Sequence, residues 1–269
     1  MLNAVVDILG VNRISRLILG EAARAMAGML KFQVSPRNLD AQRVDKPLVA
    51  ASMFGVTTPC VTRAREVLEA AGYEVVVFHA TGNGGQAMES LIAEGMFAGV
   101  LDITTTELAD ELVGGILSAG PDRLTAAGRF GVPQVISVGA LDMVNFGPPE
   151  TVPEKFRERQ FYRHNPAVTL MRTTSDENRR LGEEIGRKAA AAAGPTVIVF
   201  PQRGVSAIDR AGQPFDSAEC RAALLAGIRQ TRGPVELVEV DAHINDSLFA
   251  ETAAIRLAEM TARASERRG

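Results

Sequence analysis

The sequence predicts an α/β fold, a doubly wound and mostly parallel sheet of about six strands with helices on both faces. Three observations carry that expectation. From residue 46 onward, apolar runs of strand length alternate with segments of helical period. The strand runs are nearly continuous in Val, Ile, Leu and Ala, as strands buried on both faces are. The units are too few for a closed eight-stranded barrel, so right-handed crossovers leave an open, Rossmann- or flavodoxin-like sheet.

Residues 1–30 read as one amphipathic helix. Asn12 is its N-cap, and Ile14, Leu17, Ile18, Ala25 and Met29 recur at helical spacing. Lys31–Lys46, with Pro36, reads as a linker, so residues 1–45 form a helix-and-linker segment and 46–269 the α/β domain. Within that domain the strands are Pro47–Phe54, Tyr73–His79, Phe97–Ile103, Val132–Val138, Pro195–Phe200 and Val235–Val240. The helices are Thr57–Ala71, Gly85–Glu94, Glu107–Leu117, Ser175–Ala193, Asp216–Thr231 and Asp246–Ser265. From Phe146 to Thr174 no strand pattern emerges. That proline-containing stretch, with Arg157, Arg159, Arg163, His164 and Arg172, reads as a long functional loop such as a lid.

Composition sets the limits. The chain has 269 residues, 46% hydrophobic and 23% charged, as an ordinary globular protein has. A net charge of −3 argues against a nucleic-acid partner. No run approaches the ~18 apolar residues of a membrane span, and Met1–Asn3 carries no basic leader, so a cytoplasmic protein is expected. Cys60 and Cys220 alone supply neither a disulfide framework nor structural zinc. Few lysines are placed for a Schiff base, so no PLP is expected, nor haem. No metal-ligating spacing of histidines occurs, and no P-loop.

In an open parallel sheet, ligands bind outside the carboxyl ends of the strands. The segments there are small, polar and hydroxyl-rich. Thr81, Gly82, Asn83, Gly84 and Gly85 can cradle a phosphate or carboxylate on backbone N–H groups at a helix start; the same glycines also suit a plain chain reversal. Thr57 and Thr58, before Pro59, read either as a helix start or as further anion donors. Thr104, Thr105 and Thr106 read alike, and Thr104-x-x-Glu107 and Thr174-x-x-Glu177 fit capping boxes. His79 and His243 are candidate acid–base groups, with Asp102 and Asp142 beside them, or satisfied partners at strand ends. Arg172, with Asn165, Asn145 and Arg203, can clamp an anionic ligand or form surface pairs. Cys60 reads as a small buried hydrophobe.

The same edges carry a family resemblance. The segments are GVTTPC (55–60), FHATGNGGQAME (78–89), LDITTTELADELVGG (101–115), SAGPDRL (118–124), GALDMVNFG (139–147), HNPAVTLMRTT (164–174), PQRGVSAID (201–209) and HINDSLFA (243–250). Together they resemble the Tm-one-like ATP-binding family, which includes a plant virus-resistance protein and many bacterial proteins. The resemblance implies an α/β architecture, ATP with Mg as ligand, and homo-oligomers. Bacterial members often accompany a TIM-barrel protein, which implies small-molecule metabolism. Family members are longer, so the resemblance makes this chain their carboxy-terminal half, with residues 1–30 as the joining helix and a separate chain supplying the first half as a possible partner.

Three functions follow as expectations. The first is a nucleotide- or phosphate-binding domain serving an ATP-dependent or phospho-metabolite enzyme. The second is an ATP-independent enzyme acting on a small carboxylate. The third is an interaction module like the plant member.

Overall fold

A computed structural model describes residues 13–31 and 46–266. The chain divides into two compact units, Met1–Asp45 and Lys46–Gly269. In the first, α1 (Arg13–Lys31) is a helix whose Leu19, Met26, Met29 and Leu30 are exposed. The expected N-cap Asn12, the rest of residues 1–12 and most of the expected linker lie outside the described residues.

The second unit opens with β1 (Leu48–Met53), α2 (Thr58–Ala70), β2 (Glu74–His79), α3 (Asn83–Ala93) and β3 (Gly99–Thr104). Then follow α4 (Glu107–Val113), the one-turn α5 (Ala126–Arg129), β4 (Gln134–Gly139), β5 (Met143–Phe146), β6 (Phe161–Asn165) and β7 (Val168–Arg172). It closes with α6 (Ser175–Ala190), β8 (Thr196–Pro201), α7 (Ala218–Thr231), β9 (Glu236–Val240) and α8 (Ser247–Glu266).

Six strands form one parallel sheet in the order β2-β1-β3-β4-β8-β9. The order reverses between β1 and β3, which makes their carboxyl ends a topological switch point. Successive residues alternate between faces. Val49 and Ala51 of β1, with Leu101 and Ile103 of β3, face α2 and α8, where Leu68, Phe249 and Leu257 close the layer. Ala50 and Val100 face Met88 and Ile92 of α3. Ile136 and Ile198 face Leu181 and Ile185 of α6 and Leu224 and Ile228 of α7. Leu68 is fully buried, so truncating it to Ala costs about 2–5 kcal/mol in lost burial and cavity.

The segment expected as a loop without strands instead carries two strands and the end of a third. β5, β7 and β6 form a separate antiparallel ribbon in that order. Its strands escape the sequence pattern because β5 has four residues, β6 (FYRHN) is polar and exposed, and β7 (VTLMR) mixes buried Thr169 and Arg172 with apolar residues. Pro166 and Ala167 turn the β6–β7 hairpin, and Asn165 Oδ1 accepts the Ala167 N–H at 2.8 Å. Helix α4 stops at Val113, short of the expected Leu117, because Gly114 takes the left-handed conformation (φ 98°) of a helix terminator. The Thr174–Glu177 capping box forms as expected at the start of α6. No helix among the described residues is long and apolar enough to cross a membrane.

Candidate functional site

At the switch point the strand ends are tied together by polar side chains. Ser52 Oγ donates to Asp102 Oδ1 at 2.6 Å and accepts the Thr104 N–H at 2.8 Å. Thr57 and Thr104 share a hydroxyl bond of 2.8 Å, and Thr58 Oγ1 donates to the Phe54 carbonyl. Thr105 Oγ1 donates to the Ser137 carbonyl, and Thr106 Oγ1 accepts from Asn145 Nδ2. Thr104, Thr105 and Thr106 are completely buried, so in this conformation they are internal struts rather than open ligand donors. Thr104 lies within β3 and caps no helix, which corrects the Thr104–Glu107 capping box.

Beneath them sits Arg123, 1% exposed. Its guanidinium grips Asp102 with two bonds of 2.5 and 2.6 Å, Glu107 through Nε at 2.6 Å, and Glu89 at 3.2 Å. Burial works against the Arg123 charge, but Asp102, Glu107 and Glu89 outweigh it and hold the group well above its ordinary range. Glu89 also accepts the N–H groups of Leu124, Thr125 and Ala126 that open α5. Asp102, expected as an acid–base candidate, is thus placed as half of a buried ion pair.

Glu107 also reaches the glycine-rich turn. Its Oε1 accepts the N–H of Gly82 at 2.7 Å and of Gly85 at 3.1 Å. Two backbone N–H groups of the turn are thus engaged by the protein's own carboxylate. Burial pushes the Glu107 carboxyl up despite Arg123 and the Gly82 N–H. Gly84 is required by packing: a Cβ there would lie 1.8 Å from the His79 carbonyl oxygen. A Cβ on Gly85 would meet Glu107 itself at 2.3 Å. Thr81 and Asn83 are exposed at the rim.

A second cluster lies at the ends of β4 and β8. Ala140 adopts φ 59°, a left-handed corner between β4 and β5, and two residues later Asp142 is completely buried. Asp142 Oδ2 accepts the Ser206 hydroxyl at 2.8 Å, while its Oδ1 has no partner. Arg172, at the end of β7, donates from Nη1 to the Asp142 carbonyl at 3.1 Å and to Thr173 Oγ1 at 2.9 Å. Its Nη2 is 3.6 Å from Asp209, and its Nε has no partner. Asp209 is held by the Val205 N–H and by Arg221 at 2.7 Å. Burial, with the neighbouring Asp209 charge adding to it, pushes the Asp142 carboxyl well above the usual range, and Arg172 only partly offsets this. An apolar lid of Val56, Ala140, Met143, Leu170, Ile208 and Phe215 packs over this end of the sheet, with Tyr162 edge-on to Phe215.

His243 borders the cluster in a fixed tautomer. Its Nδ1 accepts the Asn245 N–H at 3.1 Å, which assigns the proton to Nε2, and that N–H donates to the Ser206 carbonyl at 2.8 Å. Burial lowers its pKa. Both ring nitrogens are engaged, as in a satisfied partner at a strand end, the second of the two roles its position left open. Its bond reaches the Ser206 carbonyl and not Oγ, so no nucleophile–base pair forms.

Asn145 is placed inside a third buried group. Its backbone N–H and Nδ2 donate to Asp110 at 2.9 and 2.7 Å, and burial pushes Asp110 up to about 7. Three expected ligand or acid–base residues are not brought to the edge cluster. His79 is exposed at the end of β2, Asn165 serves the hairpin turn, and Arg203 forms an exposed two-bond pair with Asp241. Cys60 is buried, and burial pushes its thiol up to about 12. Among the expected residues, Thr57 meets Thr104 and Asn145 meets Thr106 in the buried struts, while in the second cluster Arg172 meets the Asp142 carbonyl. Thr173, Ser206 and Asp209 join them; the sequence signals for the last two were the polar run after β8 and the segment PQRGVSAID (201–209). Among the described residues, no group of three or more His, Cys, Asp or Glu is placed to hold a metal ion.

These features define a doubly wound α/β domain with ionised groups buried along its carboxyl edge. The chain belongs to the uncharacterised protein family UPF0261: its C-terminal domain model matches residues 46–261 and its N-terminal domain model residues 1–35. A UPF0261 protein of Clostridium tetani is 51% identical over 262 residues, 97% of this chain and 64% of that protein. The ToMV resistance protein Tm-1(GCR237) of Solanum lycopersicum is 43% identical over 250 residues, 92% of this chain and 33% of that protein. The chain therefore spans just under two thirds of the bacterial relative and a third of the plant one. An esterase domain of a Rhodothermus marinus protein is similar at a TM-score of 0.43 and 15% identity, over 84% of this chain and 90% of that one.

Proposed function

We propose that this domain binds a small anionic metabolite, a carboxylate or a phosphate, at the ends of β4 and β8 and performs acid–base chemistry on it. One observation carries the reading. A buried cationic N–H, Arg172 Nε, and a buried carboxylate oxygen, Asp142 Oδ1, are both without partners in one cluster. Buried polar groups are nearly always paired, and leaving one unpaired costs about 1–3 kcal/mol, so such a concentration marks a place for a ligand. Arg172 would hold the anion. Asp142, its carboxyl raised by burial, would give or take the proton near neutral pH.

A second reading seats Mg-ATP on the turn Thr81–Gly85. In its favour, the hydrogen bonds of the described residues leave the Asn83 and Gly84 N–H groups, the first of α3, without an acceptor. Against it, the Glu107 carboxylate lies directly behind them.

Titration calorimetry with acetate, inorganic phosphate and Mg-ATP separates the two. Acetate or phosphate is expected to bind, and Arg172→Lys, which keeps the charge but loses Nε, weakens that binding roughly tenfold. Heat from Mg-ATP alone selects the second reading. No heat from any of the three, or binding indifferent to Arg172→Lys and Asp142→Asn, overturns both.

A further inference from the structure

On the other face of the ribbon lies a cleft that the edge cluster does not use. It has a volume of about 360 Å³ and opens between the ribbon and the segment 149–157. That volume is at the lower end of the range of small-molecule sites. Its floor follows from strand register. Arg163 pairs with Thr169 and Phe161 with Met171, so Phe161, Arg163 and Thr169 point to one face. Leu170 and Arg172, on the opposite face of β7, serve the edge cluster instead. Pro149, Val152 and Pro153 make the facing wall. Its two prolines restrict that wall in advance.

The polar groups in the cleft differ in how they are engaged. Arg157 at the rim is bonded to Glu154 at 3.0 Å. Arg163 makes no hydrogen bond or ion pair among the described residues. Thr169 is 4% exposed, and its Oγ1 has no partner. One free guanidinium and one unpaired hydroxyl stand on a floor shared with a partly exposed phenyl ring. A guanidinium on an otherwise apolar surface recognises a carboxylate by two parallel bonds. A single free cation, with Glu154 nearby, suits a singly charged anion and disfavours a phosphomonoester dianion.

We infer that this cleft binds a small monocarboxylate with an aromatic or branched apolar body, its carboxylate on Arg163 and its apolar end on Phe161 and the prolines. The site is separate from the edge cluster and stands whether or not that cluster binds an anion.

Amide chemical-shift titration of the whole chain with phenylacetate tests it, with benzyl alcohol and inorganic phosphate as controls. Phenylacetate is expected to shift the amides of Val152, Phe161, Arg163 and Thr169. Arg163→Ala, an exposed strand position, is expected to weaken it roughly tenfold or more, and Arg172→Lys to leave it unchanged. Equal binding by benzyl alcohol, tighter binding by phosphate, or no shift at these amides overturns the inference. So does binding that survives both Arg163→Ala and Thr169→Val. Failure here leaves the edge-cluster titration untouched, because the two sites answer to different arginines.

Discussion

Two buried ionic clusters share the carboxyl edge of one sheet, and they differ in whether their atoms are paired. Around Arg123, a single guanidinium meets Asp102, Glu107 and Glu89, and backbone N–H groups take up the remaining oxygens of Glu107 and Glu89. None of its buried side-chain atoms is left without a partner. Around Asp142, by contrast, a carboxylate oxygen and a guanidinium nitrogen are both unpaired. A saturated cluster holds strands together; an unsaturated one has capacity left for something else. The glycine-rich turn belongs to the first kind, although its composition suggests the second.

The comparison can be broken most forcefully at Arg123. Arg123→Met removes the one cation facing three carboxylates and is expected to cost about 3–5 kcal/mol in urea unfolding. A loss below about 1 kcal/mol would mean the cluster is not structural. Gly84→Ala is expected to destabilise by about 1–3 kcal/mol, since the new methyl meets the His79 carbonyl. Were the glycine there only to admit a ligand, the same substitution would leave unfolding unchanged.

The Asp142 cluster is sharpened by pH. Asp142 and Asp110 have carboxyls raised in the folded state, Asp110 to about 7. The folded chain therefore keeps protons that the unfolded chain releases near pH ~4. Their contribution to stability falls as pH rises from about 4 to about 7 and is level above that. Asp142→Asn is expected to remove one group's share, about 1.4 kcal/mol per pH unit, from that slope in urea midpoints measured across the window. An unchanged slope would show that Asp142 ionises normally. The smallest effect is expected far from both clusters. Thr174→Ala loses the capping box of α6 and about 1 kcal/mol, with ligand binding unaffected.

Much of the fold was legible in the sequence because each main strand is a short apolar run between helical segments, from β1 to α8. What was not legible has physical reasons. The ribbon strand β6 is polar and exposed on an edge, so it lacks the alternation that marks a half-buried strand. The site was half legible. Asp142 was named as an acid–base candidate beside the histidines and Arg172 as an anion clamp or a surface pair, each by itself, and nothing local distinguishes Asp142 from Asp102. Their fates diverge because Arg123, distant in sequence from both strand ends, reaches only Asp102. The same non-local logic gives Glu107 to the turn at Gly82–Gly85, where the local residues suit an anion cradle and a plain chain reversal equally.

The most direct test of that division is to map where an anion touches. Backbone amide shifts of the whole chain would be followed during titration with acetate, phosphate and Mg-ATP. Shifts at Leu141–Met143, Thr173 and Val205–Asp209, with Gly82 and Gly85 unmoved, are the expected result. Shifts confined to Gly82–Gly85 would contradict it, and would mean that a ligand displaces Glu107 from the turn.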